Sequence, residues 1–390
     1  MNDEQRLSIW QQNVNKSPIS QHTLISNSIL IKHNIDILAL QEPAVNSFNQ
    51  SISSKDWISI YPSTHQTHPE KTRTLTLIRA SVSTDSWEQL EFPSGDVTAV
   101  TIQGEWGKLF LLNVYNNCDN NDTIKALMNF HEKHGELTDQ AGQANIHVIW
   151  LGDFNRHHQF WDDPNDTRLF TDQALKLADE LIDAVASAGL ELALPKGMPT
   201  HIHNVTKKWT RLDQVFISDH SLELIETCET VTKFRNTKTD HLPISTILNL
   251  PISKQQPKLF RNFRQVGWEE FHDTLTAKLN RLPIPGRIIT QEQLNTECDK
   301  ITTVLQAVIE KEVPITEICS KSKRWWTKEL TSMRRNMNII GRRSYKCRLL
   351  PRHQVHHEHK EASKLYERTL ERTKKQHWRD WLEKAEEPDI

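Results

Sequence analysis

Residues 147–155 are HVIWLGDFN, a short apolar stretch that ends in Asp153 and Asn155. The apolar part is rich in β-branched and aromatic side chains and is bounded by turn formers, a composition that predicts a β-strand. A carboxylate and an amide therefore stand at the end of this strand. Because strands of one sheet lie side by side, polar residues at their ends can gather on one rim.

Seven other short apolar runs before residue 251 have the same character and are also predicted strands. They are LSIW (7–10), IDILALQ (35–41), LTLI (75–78), VTAVTI (97–102), KLFLLNVY (108–115), DQVFIS (213–218) and LPISTILNL (242–250). Apolar residues at helical spacing predict helices over 20–33 and 171–189. Many strands with a few interspersed helices predict a layered α/β or α+β domain.

Most of these strands begin or end at a carboxylate, amide or imidazole side chain. The set comprises Asn13, Glu42, Asp153, Asn155, Asp213, Asp240 and His241. Carboxylate and amide oxygens are hard ligands that suit Mg²⁺ or Mn²⁺ better than zinc. Since Mg²⁺ binds through one or two carboxylates together with substrate phosphates, such a rim predicts phosphate chemistry.

Five segments, taken together and in this order, resemble the motif set of the endonuclease/exonuclease/phosphatase superfamily. They are WQQN (10–13), LALQEP (38–43), LGDFN (151–155), RLDQVF (211–216) and TDHLPI (239–244), and the resemblance covers about residues 7–250. A longer stretch, GDFNRHHQFWDDPND (152–166), resembles the variant found in endonuclease domains of non-LTR retrotransposons, particularly fungal ones. Thr239 and Leu212 stand where the family usually has Ser and Ile, and neither change removes a catalytic group.

The resemblance implies a fold and an activity. The implied fold is a four-layered α/β sandwich, in which two mixed β-sheets are flanked by helices. The implied activity is that of a DNA endonuclease that depends on Mg²⁺ or Mn²⁺ and nicks DNA by hydrolysing a phosphodiester bond. Glu42 would be the main metal carboxylate, assisted by Asn13. Asp153 would be the general base for the attacking water, and Asn155 would hold that water or a phosphate oxygen.

The resemblance also implies roles for a second group of residues. His241 would donate a hydrogen bond to a non-bridging phosphate oxygen, and Asp240 would accept one from the other imidazole nitrogen. Tyr115 would contact the phosphate, Asp213 would support the cluster, and Thr200 would line the cleft. Simpler interpretations remain open: Asn13 and Thr200 as turn residues, Tyr115 as a half-buried tyrosine and Asp213 as a structural carboxylate.

Charge divides the chain at about residue 250. Residues 1–250 contain 20 basic and 31 acidic side chains, whereas residues 251–390 contain 28 and 19. We therefore expect a catalytic domain at 1–250 and a basic, mainly helical extension at 251–390, with helices over 268–280 and 291–312. No reverse-transcriptase core is expected within residues 251–390.

Two segments of this basic region, KRWWTKELTSMRRN (323–336) and KLYERTLERTKKQHWRDWLE (364–383), resemble the linker between endonuclease and reverse transcriptase in those elements. Tryptophans interleaved with basic residues suit contact with nucleic acid. The candidate contacts are Arg324, Trp325, Trp326, Arg334 and Arg335. A solvated helical face is the alternative interpretation of the same charges.

Several classes of protein are not expected. The five cysteines are odd in number and widely spaced, which argues against a disulfide framework and a cysteine-based zinc site. With no signal peptide or transmembrane pattern, we expect a nuclear or cytoplasmic, non-secreted protein that uses no small-molecule cofactor. The adjacent His157 and His158 lack a third ligand at useful spacing, so they are not interpreted as a zinc site.

Two alternative functions stay open. The first is a phosphatase or phosphodiesterase of the same superfamily that acts on lipid or small-molecule phosphates, although such an enzyme would not need a basic extension. The second is an inactive nucleic-acid-binding remnant. Stabilisation of the fold by Mg²⁺ in a thermal melt would argue against the remnant, because an intact metal site binds the ion only in the folded state.

Overall fold

The computed structural model describes residues 6–25, 34–52, 54, 56–134, 145–203, 205–234, 238–254, 260–263, 266–316 and 325–385. The chain forms two compact units. One comprises residues 1–255 together with 320–390, and the other comprises residues 256–319. None of the helices in the described ranges is both long and apolar enough to span a membrane.

The first sheet of the larger unit has six strands. They are β1 (Leu7–Asn13), β2 (Ile37–Gln41), β3 (Trp57–Ile60), β4 (Thr74–Arg79), β13 (Ile225–Thr230) and β14 (Ile244–Leu248). Their order in the sheet is β13-β14-β1-β2-β4-β3. The central pair, β1 and β2, is parallel, and β14 runs antiparallel to β1.

The second sheet also has six strands, in the order β5-β6-β7-β8-β12-β9. They are β5 (Trp87–Leu90), β6 (Val97–Gly104), β7 (Gly107–Tyr115), β8 (Ile146–Asp153), β9 (Leu190–Leu192) and β12 (Asp213–Ser218). Strands β7 and β8 are parallel, and β12 is antiparallel to β8. A small separate hairpin is formed by β10 (His201–Ile202) and β11 (Trp209–Thr210).

The two sheets pack face to face, and helices cover their outer faces. In β8, Ile149 and Leu151 belong to the core between the sheets, whereas Val148 and Trp150 belong to the core under the helices. Apart from His147 and the terminal Asp153 this strand is apolar, because both of its faces are buried. The covering helices are α1 (Pro18–Ile25) on the first sheet and α2 (Asp122–Lys133) and α3 (Asp172–Ser187) on the second. The four-layered sandwich is therefore confirmed.

All eight predicted strands are present, and the helix predicted at 171–189 is Asp172–Ser187. The helix predicted at 20–33 is observed as Pro18–Ile25, and residues 26–33 lie outside the described residues. The sequence prediction did not include β3, β5, β9, β13 or α2. These four strands are the edge strands of the two six-stranded sheets, where one side remains exposed, so polar residues interrupt the apolar pattern in WEQL and IETCET.

The smaller unit contains two helices and a short two-stranded ribbon. The helices are α4 (Trp268–Leu279) and α5 (Gln291–Glu312), and the ribbon is β15 (Phe260–Arg261) with β16 (Ile315–Thr316). A small core holds them together through Val266, Phe271, Val308 and Val313. Both helices agree with the predicted spans of 268–280 and 291–312.

A pair of basic helices, α6 (Lys328–Lys346) and α7 (Gln354–Ala385), follows the smaller unit and is called the helix pair below. It packs with the sheets in the larger unit. The contacts include the ring of Tyr345 against Trp209 and an ion pair between Glu367 and Lys238 with an O···N distance of 2.9 Å. The basic, helical character is as expected. The division into 1–250 and 251–390 stays a prediction.

Candidate active site

Strand register brings the polar strand ends together. In the second sheet, Tyr115 at the end of β7 lies beside Asp153 at the end of β8, and Asp153 lies opposite Asp213 at the start of β12. In the first sheet, Asn13 at the end of β1 lies beside Gln41, the residue before Glu42. The predicted rim therefore exists, and it draws side chains from both sheets.

The backbone around this rim is tightly constrained. Gly152 has φ 149°, and a Cβ added to it would collide with the carbonyl group of Val114 on β7. Glu42 and Asn155 have positive φ values of 46° and 52°, which are rare for residues other than glycine. Each such conformation costs on the order of 1–3 kcal/mol and persists where the surrounding structure holds it, commonly at functional sites.

Asp153 is buried at the centre of the rim, with 2% of its surface exposed. One carboxylate oxygen, Oδ2, accepts a hydrogen bond of 2.9 Å from the side-chain amide of Asn13, and Oδ1 accepts one from the backbone N–H of Asn155. Burial raises the pKa of Asp153 well above its usual range, and the negative charge of Asp213 acts in the same direction. A carboxylate in this state is a stronger base than an exposed aspartate.

His241 lies among three carboxylates. Its Nδ1 donates a hydrogen bond of 2.8 Å to Asp213 Oδ2, and its Nε2 lies 3.9 Å from both Asp153 Oδ2 and Asp240 Oδ1. Burial alone lowers the pKa of His241, but the charges of Asp213, Asp153 and Asp240 together raise it to about 10. The imidazole is therefore held as a cation whose Nε2 points to the rim.

The partner predicted for the His241 ring needs a correction. Asp240 was expected to accept the hydrogen bond from the ring nitrogen opposite the substrate, but the structure gives this contact to Asp213. The reason is the antiparallel register that sets Asp213 across from Asp153, within hydrogen-bond distance of His241 Nδ1. Asp240 instead lies near His201, with 3.5 Å between Oδ2 and Nε2. Burial tends to raise the pKa of Asp240, but His201 and His241 lower it to about 2.

Thr200 acts through Asp213. Its hydroxyl oxygen is fully buried and accepts hydrogen bonds from the backbone N–H groups of Leu212 and Asp213, at 3.2 and 3.1 Å. The structure thus places Thr200 behind the carboxylates. Among the described residues, the second carboxylate oxygen of Asp213, Oδ1, is a buried atom without a hydrogen-bond partner.

Glu42 is half-buried beside two cations. Arg73 Nη1 and Lys16 Nζ lie 3.9 and 4.0 Å from Glu42 Oε1, both farther than a hydrogen bond. The Arg73 guanidinium also lies over the ring of Tyr115, 5.0 Å from its centroid. Burial raises the pKa of Tyr115, and the charges of Glu42 and Asp153 raise it further. Glu42, Tyr115 and Asp153 therefore share one electrostatic environment.

Asn155 is fixed in place by the loop that follows β7. Its side-chain amide donates a hydrogen bond of 2.8 Å to the carbonyl oxygen of Asn116, and Asn116 donates one to the carbonyl oxygen of Phe154. The buried guanidinium of Arg156 donates to the carbonyl oxygens of Asn117 and Cys118 in the same loop. The predicted contact of Asn155 with water or phosphate stays a prediction.

Of the candidate nucleic-acid contacts, Arg334 and Arg335 lie on helix α6, and Trp325 and Trp326 immediately precede it. Arg324 lies outside the described residues. Trp325 and Trp326 are half-buried, packing beside the core that Leu330 and Tyr366 help to form. Arg334 lies over the ring of Trp326 at 5.1 Å, and Arg335 is exposed. These aromatic rings therefore have a structural role, and contact with nucleic acid stays a prediction.

Several residues of this region carried no role in the sequence prediction, among them His201, Asn116 and Arg73. His201 directly follows Thr200, and Asn116 directly follows Tyr115, so each stood beside a candidate residue. Arg73 lies immediately before β4, a position that a strand pattern alone does not mark as functional.

The charge on His241 predicts a pH dependence of stability. A histidine with a raised folded-state pKa stabilises the fold fully below its unfolded pKa of about 6.5, and this stabilisation is lost as pH rises towards 10. Without divalent metal, the melting temperature of the wild type should therefore fall more steeply between about pH 7 and 10 than that of His241→Gln. Thermal unfolding followed by circular dichroism measures this. His203→Gln, at an exposed position, should follow the wild type, and parallel curves for all three proteins would contradict the assignment.

Comparisons with known proteins agree with this architecture. Residues 109–245 match the family model described as endonuclease-reverse transcriptase. An AP endonuclease from Leishmania major superposes with a TM-score of 0.51 at 11% identity, over 64% of this chain and 89% of that one. No curated protein sequence matches the chain.

Two further solved structures are similar at lower scores. The endonuclease domain of TRAS1, a telomere-specific non-LTR retrotransposon, gives a TM-score of 0.49 at 15% identity, over 63% of this chain and 99% of that one. The catalytic domain of Xenopus laevis APE2 gives 0.46 at 16% identity, over 64% and 94%. The Leishmania superposition agrees with the two-sheet topology, and residues 109–245 within this fold match the endonuclease-reverse transcriptase family model.

Proposed function

We propose that this domain is a divalent-metal-dependent DNA endonuclease, derived from a non-LTR retrotransposon, that hydrolyses one phosphodiester bond and leaves a nick. The observation that carries the proposal is the buried cluster of Asp153, His241 and Asp213 at the rim. It combines a carboxylate of raised basicity with a cationic imidazole whose Nε2 lies 3.9 Å from that carboxylate. Hydrolysis of a phosphodiester uses both groups at the same phosphate: the carboxylate as a base for the attacking water, and the imidazole as a positive charge beside the phosphate oxygens.

Asp153 supplies the base. Its carboxylate accepts a proton from the attacking water as the water oxygen bonds to phosphorus, and the bond from phosphorus to one sugar oxygen breaks. Asn13 holds Asp153 Oδ2 by its 2.9 Å hydrogen bond, and the N–H of Asn155 holds Oδ1. These two contacts fix the direction of the carboxylate, so it need not reorient during the reaction.

His241 supplies positive charge where negative charge develops. Asp213 holds Nδ1 and keeps the ring cationic, so Nε2–H can donate to a non-bridging phosphate oxygen. The hydrogen bonds from two backbone N–H groups to Thr200 fix the segment that carries Asp213. Arg73 and Lys16, beside Glu42, provide further positive charge for the phosphate backbone.

The residues at the rim fit a hard divalent cation. Glu42 has its carboxylate beyond hydrogen-bond distance of both neighbouring cations, and Asn13 ends the adjacent parallel strand. These two residues would hold the ion, which is expected to be Mg²⁺ or Mn²⁺ because the available donors are oxygens. When bound, the metal would neutralise charge on the phosphate and lower the pKa of its water.

The helix pair offers a surface for DNA. Lys328, Arg335, Arg342 and Lys346 are exposed on α6, and their spacing of seven, seven and four residues sets them on one face. Cations in such a row can each contact a phosphate group, with an affinity that falls as salt concentration rises. Two observations support the proposed origin. Residues 152–166 and 323–336 resemble retrotransposon sequences, and the matching family model is described as endonuclease-reverse transcriptase.

Nicking of supercoiled plasmid tests the proposed function. The wild type should convert plasmid to open circles with Mg²⁺, whereas EDTA or Glu42→Gln should slow conversion by at least about 100-fold, because either removes the neutralising ion. Glu70→Gln, which changes an exposed glutamate, should leave the rate unchanged.

The same assay separates the alternatives. Folded wild type that leaves plasmid intact in Mg²⁺ and in Mn²⁺ would overturn the proposed nuclease. Hydrolysis of p-nitrophenyl phosphate by that protein would point instead to a phosphatase of the same superfamily.

A further inference from the structure

Two histidines share one carboxylate at the rim. His201 Nε2 lies 3.5 Å from Asp240 Oδ2, and His241 Nε2 lies 3.9 Å from Asp240 Oδ1. The two rings are neighbours, with centroids 4.8 Å apart, because a backbone bridge pairs His201 with His241. One nitrogen from each ring and one oxygen of Asp240 all lie within 4.8 Å of one another.

The far nitrogen of each ring already has a partner. Nδ1 of His201 lies 3.0 Å from Thr210 Oγ1, and Nδ1 of His241 donates to Asp213 Oδ2 at 2.8 Å. Histidines that bind a metal through one ring nitrogen almost always have the other nitrogen held by a carboxylate, carbonyl or water, which fixes the ring. Here both rings are fixed with Nε2 turned towards Asp240.

Distances, charge and donor type agree on the kind of ion. Two ligands about 2.1 Å from a tetrahedral zinc lie about 3.4 Å apart, close to the 3.5 and 3.9 Å observed here. The surrounding carboxylates of Asp153, Asp213 and Asp240 balance a dication. Imidazole nitrogens favour zinc over the magnesium expected at Glu42, so the two metals would use different donors.

We propose that His201, His241 and Asp240 form a binding site for one zinc ion, and that zinc bound there inhibits the nuclease. Inhibition follows from the proposed function of His241: zinc displaces the Nε2 proton to solvent and binds the freed lone pair, so Nε2 has no proton left to donate to the phosphate. The inhibition therefore rests on the proposed nuclease activity, whereas zinc binding does not.

The matched test compares His201→Asn with His203→Asn. Asparagine at 201 can keep a polar contact with Thr210 Oγ1 but lacks any atom at the position of Nε2, the proposed ligand. His203 lies two residues further on, is exposed, and accepts hydrogen bonds from the backbone N–H groups of Val205 and Thr206, a contact that asparagine can also make. Both variants lose one histidine from the same segment, so general loss of zinc-binding side chains is controlled.

Zinc binding is measured by competition with a chromophoric zinc chelator, in excess Mg²⁺ and without DNA. The wild type and His203→Asn should each bind one more zinc ion with high affinity than His201→Asn, or bind it at least about 10-fold more tightly, as expected for losing a ligand. Equal zinc stoichiometry and affinity in all three proteins would overturn the site, whatever the nuclease assay shows.

Inhibition is measured as plasmid nicking against zinc concentration, with each protein normalised to its own zinc-free rate. Half-inhibition of His201→Asn should need at least about 10-fold more zinc than half-inhibition of the wild type or His203→Asn. Equal half-inhibition in all three would overturn the inhibitory role. If the wild type fails to nick in Mg²⁺ without zinc, the proposed function fails, and the chelator competition still decides the zinc site.

Discussion

Replacing Asp153 by asparagine is expected to lower the rate of plasmid nicking by at least about 10³-fold, within the range that positioned acid–base groups contribute. Asparagine has nearly the same shape, and its one carbonyl oxygen can still accept the hydrogen bond that Asn13 donates at 2.9 Å, although the contact from the Asn155 N–H to Oδ1 is then lost. It cannot accept a proton from water. The substitution therefore removes the base and leaves the packing of the rim in place.

The same substitution should not destabilise the fold at neutral pH. Burial raises the folded-state pKa of Asp153, so the folded protein holds this proton more tightly than the unfolded chain, whose aspartate has a pKa of about 3.9. The contribution of Asp153 to the free energy of unfolding is therefore complete below about pH 4, and it is lost as pH rises through the raised pKa. An ionised Asp153 is thus a cost to the fold at neutral pH, and asparagine removes that cost.

Paired assays check both halves of this expectation. Nicking rates and thermal melts are compared for the wild type, Asp153→Asn and Asp163→Asn, which changes an exposed carboxylate ten residues further on. The control should match the wild type in both assays. If Asp153→Asn kept more than a tenth of the wild-type rate, Asp153 would not be the base. If it lost both activity and melting temperature, its role would be structural.

The positions of the central carboxylates could be predicted from sequence because they depend on local features. Asp153 directly ends a long apolar strand, and strand ends of one sheet meet at one rim, so its location follows from the pattern. The same holds for Glu42 after β2 and for His241 before β14. The four layers follow similarly, because strands buried on both faces are apolar throughout and stand out from their surroundings.

Pairwise contacts within the rim could not be predicted in the same way. Whether Asp213 or Asp240 holds the His241 ring depends on the register between β12 and β8, which the sequence does not state. The proximity of His201 to Asp240 depends on a backbone bridge between residues 40 positions apart. Trp325 and Trp326 are half-buried because they pack against a core that includes Tyr366 and Leu370 of helix α7, and this tertiary contact cannot be seen in their local sequence.

The second large effect is expected from the helix pair, at Tyr366. Its side chain is fully buried in the small core that also contains Leu330, Met337 and Leu370. Tyr366→Ala should lower the free energy of unfolding by about 3–5 kcal/mol, as typical for deleting a buried aromatic ring, because the cavity cannot close completely. Tyr366→Phe keeps the ring and should lose much less.

This loss is expected to reach the active site. Tyr345, on helix α6 of the same pair, packs against Ile202, Trp209 and Leu242. Ile202 and Trp209 pair in the hairpin whose other residues are His201 and Thr210. Loosening the helix pair therefore removes support beneath the hairpin and beneath the segment carrying His241, so the nicking rate of Tyr366→Ala should fall even at temperatures where the sheets stay folded.

Chemical unfolding and nicking assays on Tyr366→Ala and Tyr366→Phe decide whether the helix pair is part of the catalytic unit. If it is, the alanine variant should unfold at lower denaturant in one transition and nick more slowly, while the phenylalanine variant stays close to the wild type. A separate early transition with an unchanged nicking rate would show instead that the helix pair unfolds alone. The ion pair of Lys238 with Glu367 and the ring contact of Tyr345 with Trp209 favour the first result, because both tie the helices to segments that flank the rim.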